Sequence, residues 1–162
     1  MKEKQLAAGL VLFGSLISIL AGGTPMHADE SAWDKDIAAV IEARQQGFEE
    51  MGAAMKVFRN ELRNDAPDNE AMKSAADVVS SYADQISGWF PAGSGPDSGL
   101  ETDALSYIWK NTEKFSRLSA DIVPASIALV TAVSSKDQSM IISQVGATGK
   151  ACKSCHDSFR AD

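Results

Sequence analysis

The sequence contains only two cysteines and two histidines among its 162 residues, and this scarcity excludes several classes of protein. Two cysteines cannot form the several bridges that hold together a small disulfide scaffold. A structural zinc site uses about four ligands. One of the two histidines, His27, lies in or beside the N-terminal leader described below, so zinc would need a carboxylate to complete its coordination.

Basic residues are also scarce. Residues 29–162 contain 13 Lys and Arg against 21 Asp and Glu, which gives a net charge of −8. Nucleic acids and anionic membrane surfaces repel such a chain. We therefore expect no nucleic-acid partner, and no membrane association once the leader has been removed.

Near the N-terminus, Lys2 and Lys4 precede an uncharged apolar stretch from Leu6 to Ala21. This pattern is typical of a secretory signal peptide, which we place at residues 1–28 with cleavage after residue 23 or 28. An uncleaved anchor is the alternative, but the run is short for a bilayer span. We expect a periplasmic protein whose residues 29–162 form one domain.

Strand patterns are missing, whereas four stretches repeat their apolar residues with a helical period. The first stretch closes at Pro67, Asp68 or Asn69 caps the second, and the third starts near Glu101 or Thr102 and kinks at Pro124. The sequence therefore predicts an all-α fold, an antiparallel up-down-up-down four-helix bundle. The predicted inner seams are Ile37, Ile41, Arg44, Phe48, Met51, Met55, Phe58 and Leu62; Met72, Ala76, Val79, Ala83, Ile86 and Phe90; Leu105, Ile108, Thr112, Phe115, Ile122, Leu129 and Val130; and Ile141, Val145, Thr148, Cys152, Cys155 and Phe159.

Both cysteines occur in the stretch ACKSCHDSFR at residues 151–160, where Cys-x-x-Cys is followed at once by His156. This is the attachment signature of a c-type haem, although the same residues occur in disulfides and zinc sites. A thioredoxin-like pair would lie at the start of a helix that follows a strand, and here the pair is late in a helix. Free buried thiols are unexpected in an exported protein.

Haem attachment accounts for all three residues. Thioether bonds from Cys152 and Cys155 would hold one haem c per chain near the end of the last helix, with His156 as the iron ligand. The three preceding helices would cover a haem placed there, so no further chain is needed after it.

Residues Gly149–Arg160 read GxxCKxCHDxFR and resemble the C-terminal signature of cytochrome c′, a class II c-type cytochrome. Arg44-Gln45 with a bulky apolar residue four positions later, and Trp89-Phe90-Pro91 leading to Gly95 and Ile108-Trp109, agree with this resemblance. It covers essentially the whole mature chain. It implies a left-handed four-helix bundle, often a homodimer, whose five-coordinate haem iron is shielded by an apolar side chain of the first helix.

Three further residues are candidates for haem contact. Phe48 lies on the inner seam and would stand over the iron without offering a ligand atom, although periodicity alone is equally compatible with a plain core residue. Arg44, also on the seam, needs an anion, for which a haem propionate or a surface carboxylate would serve. Arg160 is a second propionate candidate. Met51 stays an alternative sixth ligand if the helix shifts.

The function predicted from these observations is that of a periplasmic monohaem c-type cytochrome that transfers electrons, binds small gases such as NO and CO, or does both. Its redox partner is not identified by the sequence. The alternatives are a low-spin, methionine-ligated electron carrier of the same family, a haem enzyme acting on NO or peroxide, and a haem-free helical binding module. We expect no enzyme activity, because Phe48 cannot move a proton.

Overall fold

The computed structural model describes residues 30–161, with side chains from residue 36 onward. The predicted signal peptide and its cleavage site lie outside these residues. Six α-helices occur in the described part of the chain, joined by turns, two short 3-10 helices and one longer loop. They are α1 (Glu30–Glu61), α2 (Asn69–Ala83), α3 (Tyr107–Lys110), α4 (Thr112–Ala120), α5 (Ile122–Ser135) and α6 (Gln138–Phe159).

Aspartate side chains start two of the long helices. Asp68 accepts hydrogen bonds from the backbone N–H groups of Glu70 and Ala71 at 2.9 and 3.1 Å, which confirms the predicted cap of α2. Asp137 caps α6 in the same way, through Ser139 and Met140. Each carboxylate satisfies backbone donors that the first helical turn leaves free.

The third predicted segment is divided into α3, α4 and α5. Asn111 leaves the helical region at φ −137° and ψ 52°, which separates α3 from α4. The second break falls at Asp121, one turn before Pro124, because a proline at that position cannot donate to the carbonyl of Ala120. The prediction was wrong for the start of the segment and for Leu105 and Thr112, both of which are exposed.

The four long helical segments pack in a ring that is open on one side. α1 packs on α2, α2 on α5 and α5 on α6, whereas α1 and α6 contact each other little. The large side chains that are fully buried include members from α1, α2, α5 and α6: Phe58, Met72, Val79, Leu129 and Ile141. The antiparallel four-helix bundle is therefore confirmed, and its open side lies between the first and last helices.

The stretch Thr112–Ser135 is long and apolar enough, by length and composition alone, to cross a bilayer. In this fold it forms α4 and α5, which pack against α2 and α6. Part of its apolar surface is therefore buried between helices of the bundle.

The C-terminal end of α6 is held by an irregular segment, residues 101–106. The backbone N–H of Leu105 donates to the backbone carbonyl of Phe159 at 2.9 Å. The backbone N–H of Ala161 donates to the backbone carbonyl of Asp103 at 2.8 Å. Ala104 and Arg160 form an isolated antiparallel bridge. These contacts restrain the last turn of α6 and give the carbonyl of Phe159 a partner that the helix itself does not provide.

Candidate haem site

A cavity of about 960 Å³ opens on the side of the bundle where α1 and α6 pack least closely. Its inner wall is mostly apolar, and charged side chains stand around it. The wall includes Phe48, Met51, Met55, Phe90, Ile108, Phe115, Ile122, Cys152, Cys155 and His156, and the charged residues are Arg44, Glu49, Lys56, Arg59, Asp103 and Arg160. All six predicted site residues line this one cavity.

Cys152, Cys155 and His156 reach the cavity together because positions three and four apart share one face of a helix. Burial raises the pKa of the Cys152 thiol. The pKa of the Cys155 thiol is raised to about 11, mainly by burial and to a lesser extent by the charge of a neighbouring Cys152 thiolate. Both sulfurs therefore stay protonated at neutral pH. Catalytic and redox-active cysteines show the opposite shift, so this environment disfavours a thioredoxin-like pair.

His156 is exposed but lies at the cavity wall, where neighbouring atoms displace part of the water around its imidazole. This desolvation and, to a lesser extent, the positive charge of Arg160 lower the pKa of the imidazole, while Asp157 opposes the shift. The neutral imidazole is thereby favoured, and this is the form that binds a metal ion.

Phe48 projects from α1 toward His156. The two ring centroids are 6.4 Å apart and the rings are nearly perpendicular. Phe48 also packs edge-on against Trp89 at 5.1 Å and lies 6.3 Å from Phe90. An apolar ring without a ligand atom is therefore brought close to the candidate iron ligand, and Met51 lines the same cavity one turn further along α1.

Trp89 is seated directly on the backbone of α1 at Gly47. A Cβ on Gly47 would overlap Cη2 of Trp89 and would lie 2.8 Å from its Cζ2. Tyr82 packs on Trp89 at 5.8 Å between ring centroids. A glycine at position 47 therefore lets the indole reach Phe48 and support it from the side.

Gly47→Ala is expected to destabilise the protein by about 1–3 kcal/mol, because the added methyl overpacks the contact with Trp89. Gly146→Ala, at an exposed position of α6 that does not line the cavity, is the matched control. A Cβ there meets nothing within 4 Å, so it should stabilise the protein by about 0.5–1 kcal/mol through helix propensity. Urea denaturation of both variants measures the difference. Equal effects would contradict the tight packing at Gly47.

Arg44 is buried, with 2% of its surface exposed, and its guanidinium holds the loop that follows α2. Nη1 donates to the backbone carbonyl of Trp89 at 3.3 Å and to Oγ of Ser94 at 3.1 Å. Nη2 donates to the backbone carbonyl of Ser94 at 2.8 Å and to Oγ1 of Thr102 at 2.7 Å. Burial lowers the pKa of Arg44, and its guanidinium lies 4.8 Å from the ring centroid of Phe90.

This arrangement excludes the surface ion pair that was the alternative for Arg44. Among the described residues no carboxylate lies within 4.0 Å of the guanidinium. Both terminal nitrogens are used by the loop, which leaves Nε as the donor that could meet a propionate.

The loop over residues 89–102 is also fixed by Trp109. Its indole N–H donates to the backbone carbonyls of Pro91 and Phe90 at 3.0 and 3.2 Å. Its ring lies on Gly95, where a Cβ would come within 2.7 Å of Cζ3. The two short stretches that supported the family resemblance, around residues 89–95 and 108–109, are thus in direct contact.

Arg160 lines the cavity and is 57% exposed at the side chain. Its Nη2 lies 3.2 Å from a carboxylate oxygen of Asp103, and Nε lies 3.3 Å from the same oxygen. The segment 101–106 therefore holds Arg160 at the cavity, where its guanidinium could bind a haem propionate as well as Asp103.

Sequence reasoning missed several side chains of this site. Phe90, Phe115 and Ile108 were predicted only as seam residues, and their role as cavity wall was not recognised. Ser94 and Thr102, the partners of Arg44, were not singled out. A buried arginine on a helix seam did signal that polar partners must exist, but nothing local in the sequence identified them.

The cavity fits a covalently attached haem. Its wall is largely apolar, two thiols project into it from one helix, and an imidazole follows them directly. A sequence profile of the family described as Cytochrome C' matches residues 39–160. The chain belongs to the cytochrome c′ family.

Individual relatives agree with this assignment. Cytochrome c′ of Rhodopseudomonas palustris is 33% identical over 124 residues, which cover 75% of this chain and 82% of that protein. The crystal structure of cytochrome c′ from Thermochromatium tepidum matches with a TM-score of 0.72 and 27% identity, covering 78% of this chain and 97% of that one. Cytochrome c prime from Shewanella frigidimarina gives a TM-score of 0.71 and 30% identity over 78% and 97% of the two chains.

Membership in the cytochrome c′ family makes this chain a monohaem c-type cytochrome. The haem is of the c type, attached covalently through Cys152 and Cys155. The sequence prediction of the family and of the cofactor is therefore confirmed.

Proposed function

We propose that this protein binds small gases, NO and CO among them, and exchanges electrons through a five-coordinate haem iron held by His156. The proximity of Phe48 to His156, 6.4 Å between ring centroids, is the observation that carries the proposal. Because Phe48 has no ligand atom, it would shield the iron of a haem held by His156 without binding to it. The haem supplies the redox-active iron and its capacity for gas ligands.

The chain contributes attachment, orientation and exclusion of water. Cys152 and Cys155 fix the haem to α6, and the lowered pKa of His156 keeps its imidazole in the ligating form. The apolar wall around Phe48, Phe90 and Phe115 keeps water from the distal side. The proposed partners of the haem propionates are Nε of Arg44 and the guanidinium of Arg160.

A solved variant of cytochrome c prime from Alcaligenes xylosoxidans, 20% identical and with a TM-score of 0.68, is a nitric oxide complex. Another solved cytochrome c′, 25% identical and with a TM-score of 0.72, is described by an unusual ligand-controlled dimer dissociation. These relatives support NO as a ligand and a homodimer as the assembly of this chain. They do not bear on its redox partner, which stays unidentified.

The role proposed here is that of a carrier and gas binder and not of an enzyme. A haem peroxidase or NO reductase needs a group that moves protons next to the bound substrate. Phe48, whose ring centroid lies 6.4 Å from that of His156, can neither donate nor accept a proton. The alternative of a methionine-ligated electron carrier depends on Met51, which would have to supply its sulfur to the iron.

The proposed location is the periplasm, with residues 1–28 as a removable leader and residues 29–162 as the haem domain. The charged start followed by an apolar run supports export. Mass spectrometry of the protein isolated from the periplasm should find the mature N-terminus after residue 23 or 28. An intact leader in the membrane fraction would contradict this location.

The haem should remain attached during denaturing electrophoresis, because thioether bonds survive conditions that release a coordinated haem. We expect a band that stains for haem peroxidase activity in the wild type and in Ser154→Ala, a control on the same helix. Cys152→Ala and Cys155→Ala should each retain at most a single, labile attachment. His156→Ala should keep the covalent haem and change the absorption spectrum.

A colourless wild-type chain, produced in a strain with working cytochrome c maturation, would overturn the proposed function. Undiminished haem staining in a Cys152→Ala, Cys155→Ala double variant would show that the haem is attached elsewhere.

A further inference from the structure

Charge is distributed unevenly between the two halves of the bundle. Residues 30–100, which include α1, α2 and the following loop, carry 13 acidic and six basic side chains. Residues 101–161, which include α3 to α6, carry six acidic and seven basic side chains. The acidic excess of the protein is therefore concentrated in the first range, and the helix that attaches the haem belongs to the nearly neutral second range.

Five cations of α3, α4 and α6 are defined here as the basic face: Lys110, Lys114, Arg117, Lys150 and Lys153. The first three surround a surface depression of about 490 Å³. Nζ of Lys114 donates to Oγ of Ser158 at 3.1 Å, which joins this group to α6. Lys150 and Lys153 are both exposed on α6, three residues apart.

The positive charge of the basic face is mostly uncompensated. Lys153 forms an ion pair with Asp157 at 2.6 Å. Among the described residues, no carboxylate lies within 4.0 Å of the charged groups of the other four cations. Glu113 shares the depression with Lys110, Lys114 and Arg117, so three cations and one carboxylate line it.

The basic face is also close to the attachment residues. Cys152 and Cys155 line the cavity on one side of α6, and Lys150 and Lys153 are exposed on the same two turns of that helix. An α-helix with its side chains is about 10–12 Å across, so a partner seated over Lys150 and Lys153 would be separated from the attached haem by about one helix. Electron tunnelling weakens steeply with distance, which makes this a short route.

We propose that the basic face is the docking surface for an acidic redox protein that exchanges one electron with the haem across α6. The inference rests on the proposed electron-transfer function and adds the site and the chemistry of the partner. An acidic protein is repelled by the α1 and α2 side and attracted by the basic face, so this uneven charge orients it before contact. Electron-transfer complexes are transient and bury little surface, less than about 1,200 Å², so a small patch of charge suffices.

The test is a charge-reversal triple variant, Lys110→Glu, Arg117→Glu and Lys150→Glu, compared with a control triple, Arg63→Glu, Lys73→Glu and Lys136→Glu. Both triples change the net charge equally, and the control cations lie outside the basic face. The probe is a reduced plant-type [2Fe–2S] ferredoxin, an acidic protein that donates one electron and reduces the ferric haem to ferrous. Stopped-flow absorbance measures the second-order rate.

At low ionic strength the basic-face triple should react about tenfold or more slowly than the control triple, within the range that electrostatic steering provides. The difference should disappear at 1 M salt, where the screening length falls to about 3 Å. Surface plasmon resonance on immobilised oxidised ferredoxin gives a readout without electron transfer, and the Kd of the basic-face triple should rise by a similar factor. Reduction by a neutral photoreduced flavin should be the same in both triples.

Equal rates and equal Kd values for the two triples at low salt would overturn the docking surface, because only net charge would then matter. If the flavin reduces both triples at the same rate and ferredoxin does so too, the proposed function stands. Only the docking surface is then contradicted. A protein without covalent haem, or one that the flavin cannot reduce, would overturn both.

Discussion

Replacing Arg44 by leucine is expected to lower the free energy of unfolding by about 3 kcal/mol, because buried acceptors lose their donor. The guanidinium makes four hydrogen bonds to Trp89, Ser94 and Thr102, which tie α1 to the loop that covers one end of the cavity. Leucine fills part of the volume but leaves the two backbone carbonyls unpaired. Urea denaturation of the haem-loaded protein measures the effect.

Arg63→Leu is the control for this experiment. Arg63 is exposed and donates one side-chain hydrogen bond, to Asn60 at 2.8 Å, so its loss should change the free energy of unfolding by no more than about 0.5 kcal/mol. Equal effects of the two substitutions would show that the contacts of Arg44 contribute little to stability.

Arg44→Lys separates the two roles of this residue. Lysine keeps the positive charge and loses the planar fork that reaches four acceptors at once. If holding the loop is the main role, Arg44→Lys should lose much of the stability and keep the reduction potential. If charge near a propionate is the main role, Arg44→Leu should lower the potential and Arg44→Lys should leave both quantities near the wild-type values.

The parts of the molecule that the sequence predicted well are those whose causes are local. The apolar period of α1 placed Ile41, Met51 and Phe58 inside, and the structure buries all three. Asp68 was recognised as a cap because its carboxylate acts on N–H groups two and three residues later. The haem attachment motif lies within five consecutive residues, and one helical turn brings its three side chains to one face.

The parts that were missed depend on contacts between distant residues. Ser94 and Thr102 are 50 and 58 positions from Arg44 and have no pattern that links them to it. Leu105 fits a helical stripe, yet its backbone bonds to Phe159 in a segment that pairs with the end of α6. Tertiary pairing there overrides local propensity, and only the assembled bundle reveals it.

Replacing Phe48 by alanine is expected to increase the affinity of the ferrous protein for CO and NO by about 10- to 100-fold. Insertion of a ligand into a tightly packed site costs roughly 1–3 kcal/mol, and removing the ring that lies 6.4 Å from His156 relieves that penalty. The association rate should rise as well, because the ligand no longer has to displace the ring from its contact with Trp89. Flash photolysis of the CO complex measures both quantities.

Met55→Ala is the control for Phe48→Ala, because it shortens an apolar side chain of the same cavity two turns further along α1. Its CO affinity should stay within about threefold of the wild type if the barrier is the ring itself and not the general tightness of the wall. A similar gain in both variants would contradict the assignment of Phe48 as the barrier.

Spectra of the same proteins decide between a shielded and a methionine-ligated iron. With Phe48 near the distal position, the ferrous wild type should be high-spin, and the ferric form should lack a charge-transfer band from methionine sulfur. Phe48→Met should supply a sulfur and shift the iron toward low spin. If the wild type is already low-spin and Met51→Leu abolishes that signature, α1 is rotated so that Met51 meets the iron, and the protein is an electron carrier closed to gases.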